Sequence, residues 1–179
     1  MKLKYFLMLM IVFIISCAQQ QETQIQKTTG VFEMKLTSTA FAHNGAIPSE
    51  FTCDSSDVSP PLSIGDIPSN AKSLVLIMDD PDAPVGTWDH WVVFNIPTTT
   101  KQIQKGTEPS GIAGKNSWGR TGYGGPCPPS GTHRYFFKLY ALDIELNLPE
   151  GSTKKDLERA MQGHILAQAE LMGTYKRSR

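Results

Sequence analysis

Two segments of this 179-residue chain gather side chains that could do chemistry. The first reads Asp79-Asp80-Pro81-Asp82-Ala83-Pro84 and, after a short gap, Trp88-Asp89-His90-Trp91. Three carboxylates arrive as an apolar run ends, and an imidazole stands at the start of the next run. Pro81 and Pro84 fix φ and remove backbone donors, so the connection is stiff. Such a loop at a strand end either presents a site or is a solvated acidic turn, and stiff loops on strand ends favour the site. The second segment runs from Gly119 to Tyr135, GRTGYGGPCPPSGTHRY. Glycines let a backbone approach a ligand closely and can aim successive N–H groups at an anion, while prolines hold the loop open. This is not the phosphate loop of nucleotide hydrolases, which needs Gly-Lys-Ser/Thr followed at once by a helix. Here a strand follows, opening with His133-Arg134-Tyr135.

A carboxylate beside an imidazole favours the protonated ring, so Asp80 or Asp82 could keep His90 or His133 partly cationic near neutral pH. A cationic cavity with several donors suits a phosphate-like anion, provided the carboxylates themselves accept hydrogen bonds. Two Asp and two His could instead ligate zinc or manganese in a metal-dependent hydrolase. That reading lacks a His-x-x-x-His or His-x-Asp spacing, and the two histidines come from distant segments. A nucleophilic triad has less support: Ser130 is a loop serine, and no Gly-x-Ser-x-Gly elbow occurs. The expectation is therefore a binding site with no catalytic residue, no metal and no cofactor.

These residues need a scaffold, and the chain supplies strands. Ser73–Met78 and Trp91–Ile96 are β-branched or aromatic runs of strand length. In Arg134–Leu142 the residues Tyr135, Phe137, Leu139 and Ala141 share one face. Weaker strands are expected over Val31–Thr37 and near Ile103. Thr153-Lys-Lys-Asp156 fits a helix capping box, and a period near 3.6 predicts helix from there to Gly173, with Gly163 kinking or splitting it. His164 falls on the apolar face of that helix, where it reads as a hydrogen-bonded core residue in preference to a ligand. The sum is a mainly β protein, an antiparallel β-sandwich with a C-terminal helical segment. Composition agrees with one ordinary globular domain, 40% hydrophobic and 19% charged. Lys+Arg and Asp+Glu both number 17, so no overall field steers the protein to nucleic acid, and any charged ligand must be met locally.

The N-terminus reads as an address. Lys2 and Lys4 precede an apolar run from Tyr5 to Ile15, the pattern of a secretory signal peptide and too short to span a bilayer comfortably. Ile14-Ile15-Ser16-Cys17 resembles the bacterial lipobox, so residues 1–16 are expected to be removed and Cys17 to be acylated. Several acyl chains on one residue anchor stably to a membrane. Ala18 after the Cys favours an outer-membrane address in a diderm host. Residues 17–30 then form a polar tether with a reach of roughly 20 Å, and the domain occupies 31–179. Loss of Lys2 and Lys4 leaves 15 basic against 17 acidic side chains, still near neutral. With Cys17 acylated, Cys53 and Cys127 remain, either as a disulfide in an oxidising compartment or as two small buried thiols.

Asp80-Pro-Asp-Ala-Pro84, His90 and Gly125-Pro-Cys-Pro-Pro-Ser-Gly-Thr-His-Arg-Tyr135 together resemble the phosphatidylethanolamine-binding protein family, more narrowly its bacterial Raf-kinase-inhibitor-like branch. Thr52-Cys-Asp54, Asp57-Val-Ser-Pro-Pro61 and Gln162-Gly-His164 through Gly173-Thr-Tyr175 resemble the same branch, so the likeness runs from about Phe32 to Tyr175. The resemblance implies a sandwich of antiparallel sheets with a rigid anion pocket formed by Asp80, Asp82, Pro84, Trp88, His90, Gly125, His133 and Tyr135. It implies phosphate or a phospholipid head group as ligand, a link to inhibition of kinases or proteases, and frequent homodimers. A lipid anchor would hold this chain outside the cytoplasm, away from kinases, which leaves an envelope enzyme as the alternative target for a docking inhibitor.

Overall fold

The computed structural model describes residues 32–177. The signal segment, Cys17 and the tether expected over 1–30 lie outside them. The elements in chain order are β1 (Phe32–Glu33), β2 (Lys35–Thr37), β3 (Gly45–Ala46), a 3-10 turn (Ser49–Phe51), β4 (Leu62–Gly65) and β5 (Ser73–Asp80). They continue with β6 (Trp88–Ile96), β7 (Gln102–Ile103), β8 (Ile112–Ala113), β9 (His133–Leu142), α1 (Lys154–Ala160) and β10 (Ile165–Tyr175). Seven strands form one sheet in the order β1-β10-β9-β5-β6-β8, with β3 also on β10; β2-β4-β7 form a second, three-stranded sheet. Pairing is antiparallel apart from β1 and β3, which run parallel to β10.

Every residue of β5 is buried, because the large sheet is covered on both sides. That is why this strand reads as a continuous apolar run and not as an alternation. One face, with Leu74, Leu76, Met78, Trp91, Val93, Phe137 and Leu139, packs against Met34, Leu36, Leu62 and Ile64 from the small-sheet side. The other face, with Val75, Ile77, Val92 and Phe94, is covered by Leu157 and Met161 of the helical segment. Burial in β9 alternates as the sequence predicts, with Tyr135, Phe137, Leu139 and Ala141 all facing the interlayer core.

The C-terminal helix is much shorter than its period suggested. Its capping box forms: Thr153 Oγ1 accepts from the Asp156 N–H, and the Thr153 N–H donates to Asp156 Oδ2 at 3.0 Å. The helix ends at Ala160, and Gly163 takes a left-handed φ of +80°. Residues 165–175 are then strand, buried at Ala167, Ala169, Leu171, Gly173 and Tyr175. Those positions also fit a period of two. Ladder pairing with every residue of β9 outweighs the local helical pattern, as tertiary context commonly does. Gly173 cannot carry a side chain there, since a Cβ would lie 2.8 Å from the Phe41 ring. His164 sits between α1 and β10, half-buried, with Nδ1 2.8 Å from Asp143 Oδ1; it is hydrogen-bonded as expected, but neither in the core nor on a helix.

Candidate functional site

Adjacent residues of a strand point to opposite faces, and at the end of β5 this separates the two carboxylates. Asp79 turns toward the helix-covered face, where Lys138 Nζ (2.8 Å) and Lys154 Nζ (2.5 Å) share its Oδ2. Burial opposes the charge of Lys154, yet Asp79, Asp89 and Glu158 together hold its pKa above the ordinary value. Burial likewise pushes the Asp89 carboxyl up, with Lys154 opposing. Asp80 turns the other way, to the end of the interlayer core. Its Oδ2 lies 2.7 Å from His133 Nδ1, with both side chains buried. Its Oδ1 accepts from the Asp82 N–H at 2.8 Å, closing the stiff turn.

A register shift places the second imidazole. Met78 pairs with Trp91 but Asp79 with Asp89, so β6 carries an extra residue, His90, at this point. A bulge of this kind re-aims a side chain. His90 Nδ1 is 2.7 Å from Gly124 O, while the Gly124 N–H donates back to His90 O at 3.0 Å. Burial pushes the His90 pKa down, although the Gly124 carbonyl and the Asp80 and Asp57 charges pull it up. The sequence left open which imidazole the carboxylates would support. Asp80 supports His133, while His90 has no carboxylate in hydrogen-bond contact.

Both imidazoles open onto one cavity of about 370 Å³, whose wall includes Asp80, Pro84, Trp88, His90, Gly125 and His133. Six of the eight expected pocket residues therefore line it; Asp82 and Tyr135 do not. Asp82 is bound by Arg134 through the backbone N–H (2.9 Å), Nε (2.8 Å) and Nη2 (2.6 Å), which holds its carboxyl down at about 2. Tyr135 is fully buried, its ring edge-on to His90 at 5.2 Å and stacked on His133 at 6.5 Å. Its hydroxyl makes no well-formed hydrogen bond, although Asp80 and the Cys127 backbone lie near enough to affect it. Burial, with Asp80 adding, raises its pKa far above the usual phenol value.

The glycine-rich segment works differently from expectation. The N–H groups of Tyr123, Gly124 and Gly125 are bonded to Glu108, His90 and Asp57 respectively, so at these positions they are not successive free donors for an anion. The glycines instead permit close packing. A Cβ on Gly125 would collide with Phe51 O and Asp57 Oδ1 and come within 2.9 Å of Thr52 Cα. A disulfide, Cys53–Cys127, joins the same two loops and lines the cavity, resolving the pairing the thiol count left open. Asp57, Trp118 and Arg120 also line the wall. Arg120 sits 5.6 Å over the Trp118 ring and donates to Tyr123 O at 3.2 Å. Trp118 in turn meets His90 edge-on at 5.0 Å. Arg120 lay within the segment singled out by its glycines, but no spacing marked it as a site residue. Asp57 is held in place by the backbone N–H of a residue 68 positions away, which no local pattern reveals. Among the described residues no three His, Cys, Asp or Glu side chains converge as a metal site.

Relatives share this architecture. A UPF0098 protein from Methanothermobacter thermautotrophicus is 50% identical over 150 residues, covering 80% of this chain and 99% of its own length. Another from Aquifex aeolicus is 52% identical over 152 residues, covering 80% and 89%. The crystal structure of a phosphatidylethanolamine-binding protein homologue, CT736 of Chlamydia trachomatis, superposes with a TM-score of 0.79 at 46% identity, covering 82% of this chain and 99% of its own. That of E. coli YbcL, described as a member of the mammalian family, gives 0.76 at 28% identity, covering 82% and 99%. The phosphatidylethanolamine-binding protein family model matches residues 37–176, and with the fold and pocket-wall residues described above, this chain belongs to that family.

Proposed function

We propose that this protein is an exported, lipid-anchored binding module whose cavity takes a small phosphate-type anion or phosphorylated head group, and that it is not a catalyst. The observation that carries the reading is the pair of buried imidazoles, each fixed through Nδ1, opening on one cavity with Arg120 in its wall. Both oxygens of Asp80 and both of Asp82 already accept hydrogen bonds from the protein. They are thereby satisfied beside an anion and engaged as supports, which disfavours the metal-hydrolase alternative. The cysteines in the cavity wall are joined to each other and offer no thiol nucleophile. The disulfide also suits an oxidising compartment, as does the lipobox ending at Cys17.

Calorimetric titration with phosphate and phosphoethanolamine, with and without chelator, tests the reading. His133→Ala should weaken binding more than tenfold, about 1.4 kcal/mol or more, since a charged hydrogen bond contributes ~1.5–3 kcal/mol. Binding that disappears with chelator and returns with zinc would overturn it. Cys17→Ala should abolish incorporation of labelled lipid; a variant still acylated would remove the anchor from the proposal. A second reading, in which the cavity rim docks on an envelope enzyme, draws on Val85 and Trp118, which are large hydrophobic residues left exposed in that wall.

A further inference from the structure

We infer that the cavity selects for a phosphate group still carrying a proton, the monoanion of phosphate or of a phosphomonoester, with His90 Nε2 accepting that proton's hydrogen bond. The inference rests on the anion-site reading above and adds to it a class of ligand. It starts from an asymmetry between two imidazoles that look equivalent in the sequence. A carbonyl oxygen can only accept, so the 2.7 Å contact to Gly124 O places a hydrogen on His90 Nδ1. A neutral ring has only that one N–H, and its Nε2 is then a bare lone pair. No carboxylate bonds to the ring, which is 2% exposed, and its burial favours the neutral form. His133 is held by a carboxylate instead. His133 Nδ1 meets the Asp80 carboxylate, whereas His90 Nδ1 meets only the Gly124 carbonyl.

The Gly124 and Gly125 carbonyls and the Asp80 and Asp57 charges favour the protonated His90 ring, and burial outweighs them. The Gly124 and Gly125 carbonyls and the Asp57 carboxylate face it from the loops, Asp80 from β5, Tyr135 and His133 from β9, and Trp118 with Arg120 from the glycine-rich segment. Two carboxylates and a lone-pair acceptor weigh against a dianion even with Arg120 and His133 in the wall. A P–OH donor satisfies Nε2, while an unprotonated oxygen placed against it leaves a buried acceptor unpaired and adds repulsion. Sites with a buried polar group discriminate strongly against ligands that lack its hydrogen-bond partner.

The test compares ligands of similar shape that differ in the proton. Methyl phosphate, sulfate, dimethyl phosphate and glycerophosphoethanolamine are titrated calorimetrically into the intact domain at about pH 6 and about pH 8. Methyl phosphate should bind at least tenfold more tightly than sulfate and dimethyl phosphate at the lower pH. Its advantage should shrink severalfold at the higher pH, where its dianion dominates. His90→Gln, whose amide can donate as well as accept, should lower the methyl phosphate to sulfate ratio below about threefold. Equal binding of sulfate and methyl phosphate to the parent overturns the inference and leaves the anion site standing. Glycerophosphoethanolamine binding as tightly as methyl phosphate also overturns it, since the ammonium would then be the donor. Binding of none of the four overturns the anion-site reading itself.

Discussion

Replacing Cys53 and Cys127 together by serine removes a cross-link between residues 74 positions apart. In the chain-entropy account a loop of that length restricts the unfolded ensemble by about 4.5 kcal/mol, and measured values are commonly ~2–4 kcal/mol. The joined loops are also held by the Cys53 N–H to Pro126 O (3.2 Å), the Gly125 N–H to Asp57 Oδ1 (2.7 Å) and Tyr123 Oη to Phe51 O (2.7 Å). Those bonds keep the native geometry when the bridge is gone, so the effect falls on the unfolded state. The expected loss is about 3 kcal/mol, or about 10 °C in melting temperature for a domain of this size. Anion affinity should fall less than about threefold, because the pocket keeps its backbone ties. Urea unfolding of parent and variant, compared as extrapolated free energies because the denaturant slope also changes with the cross-link, measures the first effect; titration measures the second. A variant within about 0.5 kcal/mol of the parent would refute the loop-closure reasoning. One that folds normally but binds nothing would refute the claim that backbone contacts hold the pocket.

Three further perturbations separate the pocket from its supports. Gly125→Ala forces a Cβ against the Phe51 and Thr52 backbone, which cannot move aside cheaply; destabilisation of about 1–3 kcal/mol with loss of anion binding is expected in unfolding and titration experiments. Asp79→Ala removes the shared partner of Lys138 and Lys154 on the far face and should cost about 3 kcal/mol while leaving anion affinity within about twofold; a large affinity loss would show that the faces are coupled. Asp82→Asn should cost about 1 kcal/mol at neutral pH, the Arg134 pair being partly exposed. A depressed folded-state pKa contributes stability above the unfolded value of 3.8 that is lost as pH falls toward about 2. The difference between Asp82→Asn and parent should therefore close across that window in acid-unfolding curves.

The strands at the centre of the large sheet were legible because burial on both faces demands long β-branched and aromatic runs, and β9 announced its inward face by alternation. β10 was misread because Leu157, Met161, Ile165 and Leu171 satisfy a helical period as well as Ala167, Ala169 and Leu171 satisfy a strand one. What decides between them is a partner strand more than twenty residues upstream, which a local window does not contain. At the site, the clusters of Asp, His, Gly and Pro marked the two segments that meet, since stiff loops need those residue types. The partnerships inside were not legible. Nothing local assigns Asp80 to His133, Asp82 to Arg134 and a carbonyl to His90, because each pairing is made across the sheet or between loops. Asp57 was missed for the same reason, whereas Arg120 has local partners and was missed because no spacing marked it.

The consecutive carboxylates Asp79 and Asp80 show how the fold makes a site from a core strand. On a strand buried on both faces, neither can reach bulk water, so each must find a partner within its own layer. On the helix side the partners are lysines, one on β9 and one on the first turn of α1, and they complete an ion cluster that ties the helix to the sheet. Even there Asp79 Oδ1 remains without a hydrogen bond, and an unsatisfied buried acceptor costs about 1–3 kcal/mol. On the interlayer side the apolar stack of Leu139, Phe137 and Tyr135 runs out at His133, and Asp80 meets an imidazole that lines the cavity. A lysine there would close the ion pair and leave a point charge. The histidine satisfies the carboxylate through one ring nitrogen while its ring forms part of the cavity wall. The cavity therefore lies where a strand's last inward residues change from apolar to titratable, and its rigidity comes from the same core that ends there.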